Sequence, residues 1–156
     1  DGSWVFGQMT LSELGDPDRP ADAVFNVACV LSGAVMGVFA VAMRTFQEND
    51  RLRLAFSVAA LASLFLVGVG LFPIHIDGWH TFFSWAFFLT MMAAIIISIP
   101  GDWGRSGRGR VLALASLSIA VVSIALLAFT PLALAEAMSV IFIMVWALIR
   151  SFDLIL

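Results

Sequence analysis

In 156 residues the chain is 62% apolar and 12% charged, with a net charge of −3 and a mean hydropathy of +1.04. Soluble domains average roughly half apolar and a quarter charged, so this composition excludes an ordinary water-soluble globule. The negative balance also lacks the basic footprint that a nucleic-acid partner requires.

Apolar runs separated by charged linkers point to an all-α integral membrane bundle of about five transmembrane helices. A hydrocarbon core about 30 Å thick takes about 20 helical residues to cross. Backbone amides in lipid must be satisfied within the segment, which leaves helix as the only option for runs this apolar. Five spans fill the chain and leave no room for a second domain.

Residues 1–20 read as an extracytoplasmic segment. Thr10-Leu11-Ser12-Glu13 has capping-box spacing and Gly15 is suited to stopping a short turn. With Trp4, Val5, Phe6, Met9 and Leu11 nearby, this stretch either rests on the outer membrane surface or ends an earlier helix. The chain opens on Asp1 rather than Met, so a removed leader or an absent first helix is expected, either of which leaves this end outside.

The first span is expected over 21–43, with Pro20 and Asp22 suited to its positive end. The second runs over 54–72. The third runs over 78–99, with Asp77 as N-cap and Pro100-Gly101 as terminator. The fourth covers 110–130. The fifth covers 132–150 after a tight Thr130-Pro131 turn, and 151–156 form a tail.

Arginine sets the expected orientation. Arg44, Arg51, Arg53, Arg105, Arg108, Arg110 and Arg150 share one side if the spans alternate, leaving Arg19 opposite. The positive-inside rule then puts the N-terminus outside and the C-terminus in the cytoplasm of a multi-pass cell-membrane protein. Trp79 and Trp103 stand at opposite ends of the third span, as interfacial anchors do.

Polar residues that bear chemistry gather at the other side: Glu13, Asp16, Asn26, His75, Asp77, His80 and Glu136. Imidazoles and carboxylates are ligands for zinc-like cations and exchange protons near neutral pH. His75, Asp77 and His80 are therefore a candidate set for a divalent metal, although His-x-Asp-x-x-His imposes no fixed helical geometry. The same residues also fit plain structural roles, with Asp77 capping a helix, His75 in water and His80 on a neighbouring carbonyl.

Glu136 lies roughly 7–8 Å beyond Pro131 at 1.5 Å per residue. At that depth a carboxylate needs a partner or a wet cavity, and His80 and Asn26 are the expected partners. Gly33 and Gly37, with Ala113, Ser116, Ala120 and Ser123, form small-residue stripes that let helices approach closely. Cys29 reads as an inert side chain in an apolar helix, and a single cysteine permits no internal disulfide. Phosphate-cradling glycine loops, nucleophile elbows, cysteine knuckles and haem-attachment motifs do not occur in the sequence.

Ser12-Glu13-Leu14-Gly15, then Val24-Phe25-Asn26 opening a helix, then Gly70-Leu71-Phe72-Pro73 followed by His80, resemble the membrane family called Domain of Unknown Function 998. The resemblance spans the chain and implies a six-helix bundle whose first helix would precede residue 1. That helix is expected to come from upstream sequence or from another membrane subunit.

Three functions are open from sequence. The first is a polytopic membrane protein with a ligand- or metal-binding site at the outer face, lined by Glu136, His80, Asn26, His75 and Asp77 and closed by Glu13 or Asp16. The second is an accessory subunit docking into a larger membrane complex. The third is a membrane-embedded lipid hydrolase or transferase, with His80 as base and a metal or Glu136 polarising water.

Overall fold

The computed structural model describes residues 4–76, 78–105 and 107–155, the side chains of 154 and 155 excepted. A 3₁₀ turn over Leu11–Gly15 leads into five helices: α1 (Asp22–Phe46), α2 (Asp50–Leu71), α3 (Trp79–Trp103), α4 (Arg108–Phe129) and α5 (Leu132–Ile155). All five are long and apolar enough to cross a bilayer. The spans read from sequence are therefore present, in order, as one helical bundle.

The differences lie mostly at the arginine-bearing end, where all five helices run past the expected spans. α2 begins at Asp50 because Asn49 Oδ1 accepts from the amides of Arg51 (2.9 Å) and Leu52 (3.3 Å), starting the helix before the first apolar residues. Pro100-Gly101 was expected to end α3, yet the helix continues to Trp103. Proline removes one amide and crowds the preceding turn, but the added turn brings Asp102 into the bundle, where two arginines hold it. Gly101 fits the same turn because its bare Cα faces Leu52 and Asn49 of the neighbouring segment. α5 likewise extends beyond 150, through Asp153, which pairs with Arg105.

At the opposite end Thr130 closes α4 rather than opening α5. Its amide and its hydroxyl (2.7 Å) both donate to the Leu126 carbonyl. The Pro131 carbonyl then accepts from Leu134 and Ala135, starting α5. The expected cap Asp77 lies outside the described residues; Gly78, at φ +81°, occupies the position before α3, a left-handed conformation that glycine adopts without strain.

Consecutive helices are neighbours. α1 packs on α2, α2 on α3, α3 on α4 and α4 on α5, while α3 and α5 approach only sparsely. Glycines set the closest approaches, as the small-residue stripe predicts. A Cβ on Gly33 would lie 2.8 Å from the Ser63 carbonyl, and one on Gly70 would collide with the Asn26 carbonyl. The core is centred on Phe56 and Trp146, whose ring centroids are 5.6 Å apart, with Met43, Met91 and Ile95 around them. Val24, Val35, Val38, Leu64 and Phe129 point outward, an exposure that lipid satisfies and water would penalise.

Candidate functional site

The described polar groups inside the bundle form two sets, one at each end. At the arginine end Arg150 is 1% exposed and Asp102 is fully buried. Arg150 Nη2 donates to Asp102 Oδ2, to Ser98 Oγ (2.7 Å) and to Ser116 Oγ (3.1 Å). Its guanidinium carbon lies 5.1 Å from the centre of the Trp146 ring, and Trp146 Nε1–H donates to Ser116 Oγ at 3.2 Å. Arg105 reaches Asp102 at 3.4 Å and grips both oxygens of Asp153 at 2.7 and 3.1 Å. The Asp153 hydrogen bonds push the Arg105 guanidinium further above its ordinary range, with burial acting the other way. Two cations and two carboxylates thus neutralise one another and tie α3, the loop after it and α5 together. Ser116, a member of the small-residue stripe, bonds two side chains of α5 in this set.

At the histidine end the polar groups are less completely matched. The Phe72 carbonyl accepts from His80 Nδ1 at 2.7 Å. A carbonyl can only accept, so Nδ1 carries a proton, and in the neutral form of the ring Nε2 presents a lone pair. His80 is 5% exposed, and that Nε2 is buried without a partner, as is Ser84 Oγ one helical turn further along α3. An orphaned acceptor in an apolar interior costs on the order of 1–3 kcal/mol.

His80 and Ser84 are among the residues lining a cavity of about 300 Å³ between α3, α4 and α5. Thr10, Ser12 and Ile74 roof it, and Glu136 stands at its polar end. Glu136 Oε1 accepts from the Ser12 amide (3.3 Å) and hydroxyl (3.0 Å). The expected partners His80 and Asn26 make no hydrogen bond to it; the 3₁₀ turn folds over α5 and supplies Ser12 instead. His80 remains within electrostatic reach of Glu136.

Local sequence explains this assembly. Trp4 Nε1–H donates to the Thr10 carbonyl (2.8 Å), and Glu13 Oε1 accepts from the Thr10 amide (3.1 Å) and hydroxyl (3.2 Å), the reach-back of a capping box. Asn26 Nδ2 donates to the Gly15 carbonyl at 3.3 Å, fixing the turn to α1, and Asn26 Oδ1 is buried without a partner. Phe72 stacks on Trp79 (5.9 Å) and on Phe83 (5.1 Å), while Gly68 leaves room for Phe83. That stack holds the Phe72 carbonyl over His80.

Of the residues singled out by sequence, His80 and Glu136 meet at the cavity. Glu13 is engaged with Thr10, Asp16 accepts from the Asp18 amide (3.0 Å), and Asn26 ties the turn to α1. His75 is exposed on the loop before α3, and Asp77 lies outside the described residues. No group of three His, Cys, Asp or Glu placed to hold a metal occurs among the described residues.

A family described as "Protein of unknown function (DUF998)" matches residues 2–153. Neither the curated proteins nor the solved structures yield a match.

Proposed function

The chain belongs to the DUF998 family, a label that carries no reaction, so we propose a function from the cavity: a polytopic membrane protein that binds a ligand at its histidine end. The single observation that carries this reading is that His80 and Ser84, two residues lining one cavity, each hold a buried polar atom without a partner, Nε2 and Oγ. Buried polar atoms are nearly always satisfied, and exceptions call for a missing partner. The proposed ligand therefore donates a hydrogen bond to His80 and meets the Ser84 hydroxyl, beneath a lid made by Ser12 and Glu136.

The six arginines flanking the loops at the opposite end, Arg44, Arg51, Arg53, Arg105, Arg108 and Arg110, support a cytoplasmic assignment for that end, which makes this site extracytoplasmic. A divalent cation is the weaker candidate ligand. His80 Nε2 suits it, but the described residues gather no further ligands around that atom.

Intact-mass spectrometry of protein released from its host membrane in mild detergent tests the reading. A stoichiometric non-protein mass is expected on the wild type and is expected to be lost from a His80→Phe, Ser84→Ala double variant. Bare wild-type protein, or equal retention by both, overturns it.

A second reading, an accessory subunit, rests on α1. Among the described residues that helix packs on α2 and the 3₁₀ turn and on no other helix, and it leaves Val24, Leu31, Val35 and Val38 exposed. Lipid covers such a face equally well, so binding at the cavity is preferred. Recovery of a stoichiometric protein partner after mild solubilisation would reverse that preference.

A further inference from the structure

Resting on the binding reading above, we propose that the occupant is a single-chain lipid with an uncharged hydroxyl headgroup, of the monoacylglycerol type. Its headgroup lies under Ser12 and its chain lies between α3 and α5.

The polar end selects the headgroup. His80 Nε2 needs a donor, whereas Ser84 Oγ can both donate and accept. A hydroxyl supplies both roles. Glu136 stands at the same end of the cavity, and in its ionised form it disfavours a fatty-acid carboxylate or a phosphate, because like charges repel strongly at low dielectric.

The remaining walls select the chain. Below Ser84 the lining is mostly apolar, including Trp85, Phe88, Met92, Phe142 and Ile143, with Ser123 and Ser139 as the polar exceptions. A small hydrophilic compound would leave that surface uncovered. The lining extends from His80 to Ile95 on α3 and from Leu132 to Ile143 on α5. At 1.5 Å per residue these stretches are about 22 Å and about 16 Å long. Half of a hydrocarbon core about 30 Å thick is the depth of one leaflet, so the cavity accommodates one chain entering from one side.

The volume of about 300 Å³ lies at the small end of ligand pockets, which favours one chain over two. The sparse approach of α3 to α5, together with exposed lining residues Trp85, Leu89 and Leu132, opens the flank towards the bilayer. Entry from the membrane then requires no passage through water.

The test uses the full chain in nanodiscs of dioleoylphosphatidylcholine and a monoacylglycerol carrying a mid-chain diazirine. Saturable, equimolar labelling is expected within Leu89–Ile95 of α3 and Ser139–Ile143 of α5. Unlabelled monoolein should compete, while oleate, glycerol and dioleoylglycerol should not. Ser84→Ala should weaken apparent affinity about tenfold, the loss of one buried hydrogen bond. Ser139→Trp, which fills the cavity, should abolish labelling. Competition by glycerol or oleate equal to monoolein, or unsaturable labelling spread over outward faces, overturns the proposal. A retained hydrophilic mass in the intact-mass experiment would also overturn it while leaving the binding reading standing; bare wild-type protein there would remove both.

Discussion

Removing Asp102 should expose how much the bundle depends on its buried charge set. Asp102 is fully buried and Arg150 is 1% exposed, so Asp102→Ala strands a guanidinium away from water. Breaking one side of a buried pair costs about 3–5 kcal/mol. Ser98, Ser116 and the Trp146 ring continue to hold Arg150, which places the expected loss near the lower limit, at about 3 kcal/mol. Arg150→Met leaves Asp102 with Arg105, 3.4 Å away and 38% exposed, and should cost about 2–3 kcal/mol. The combined Asp102→Ala, Arg150→Met variant removes both charges and should cost only about 2–3 kcal/mol in place of the additive loss of about 5–6, a coupling of about 3 kcal/mol. With total stabilities of about 5–15 kcal/mol, these losses are large. Equilibrium unfolding in mixed micelles with rising dodecyl sulfate, followed by tryptophan fluorescence, reads them. Single losses under about 1 kcal/mol that simply add in the double variant would refute the reasoning.

Three further outcomes follow from individual contacts. Gly70→Ala should destabilise the same unfolding transition by about 1–3 kcal/mol, because its Cβ collides with the Asn26 carbonyl. Gly104→Ala is its control: the nearest atom to a Cβ there is 3.8 Å away, and the change should stay within about 0.5 kcal/mol. Arg105→Ala should cost only about 1 kcal/mol despite two bonds to Asp153, since a side chain 38% exposed is screened by water and salt. Ser12→Ala should speed amide hydrogen exchange across Leu11–Gly15, because the turn loses its hydroxyl bond to Glu136, about 1 kcal/mol, while exchange in α2 and α3 stays unchanged.

The five spans were legible because lipid imposes one rule over about 20 residues at a time, and Val111 to Phe129 obeys it without a charge. Their ends were not, because polar side chains decide them. Asn49 starts α2 early, and Asp102 and Asp153 reward continuation of α3 and α5. Pro100-Gly101 looked like a terminator since local propensity knows nothing of Arg150 waiting across the bundle. His80 and Glu136 stood out as ionisable groups near helix ends. Their actual contacts depended on two long-range facts, the 3₁₀ turn folding over α5 and the Phe72 carbonyl facing the imidazole.

Arg150 was grouped with the rim arginines, a pattern in which one buried member is invisible. A signal did exist: Ser98 and Asp102, like Trp146 and Arg150, are four residues apart and so share a helix face. Two such pairs near the same end of the bundle are what a buried ion pair with supporting hydroxyls requires.

The most direct measurement is a density map of the protein purified with its native lipids, read between His80, Ser84 and Glu136. The account predicts continuous non-protein density that meets His80 Nε2 and runs on between α3 and α5 as far as Ile143. Side chains collapsed into that space, with His80 Nε2 bonded to another protein group, would contradict it.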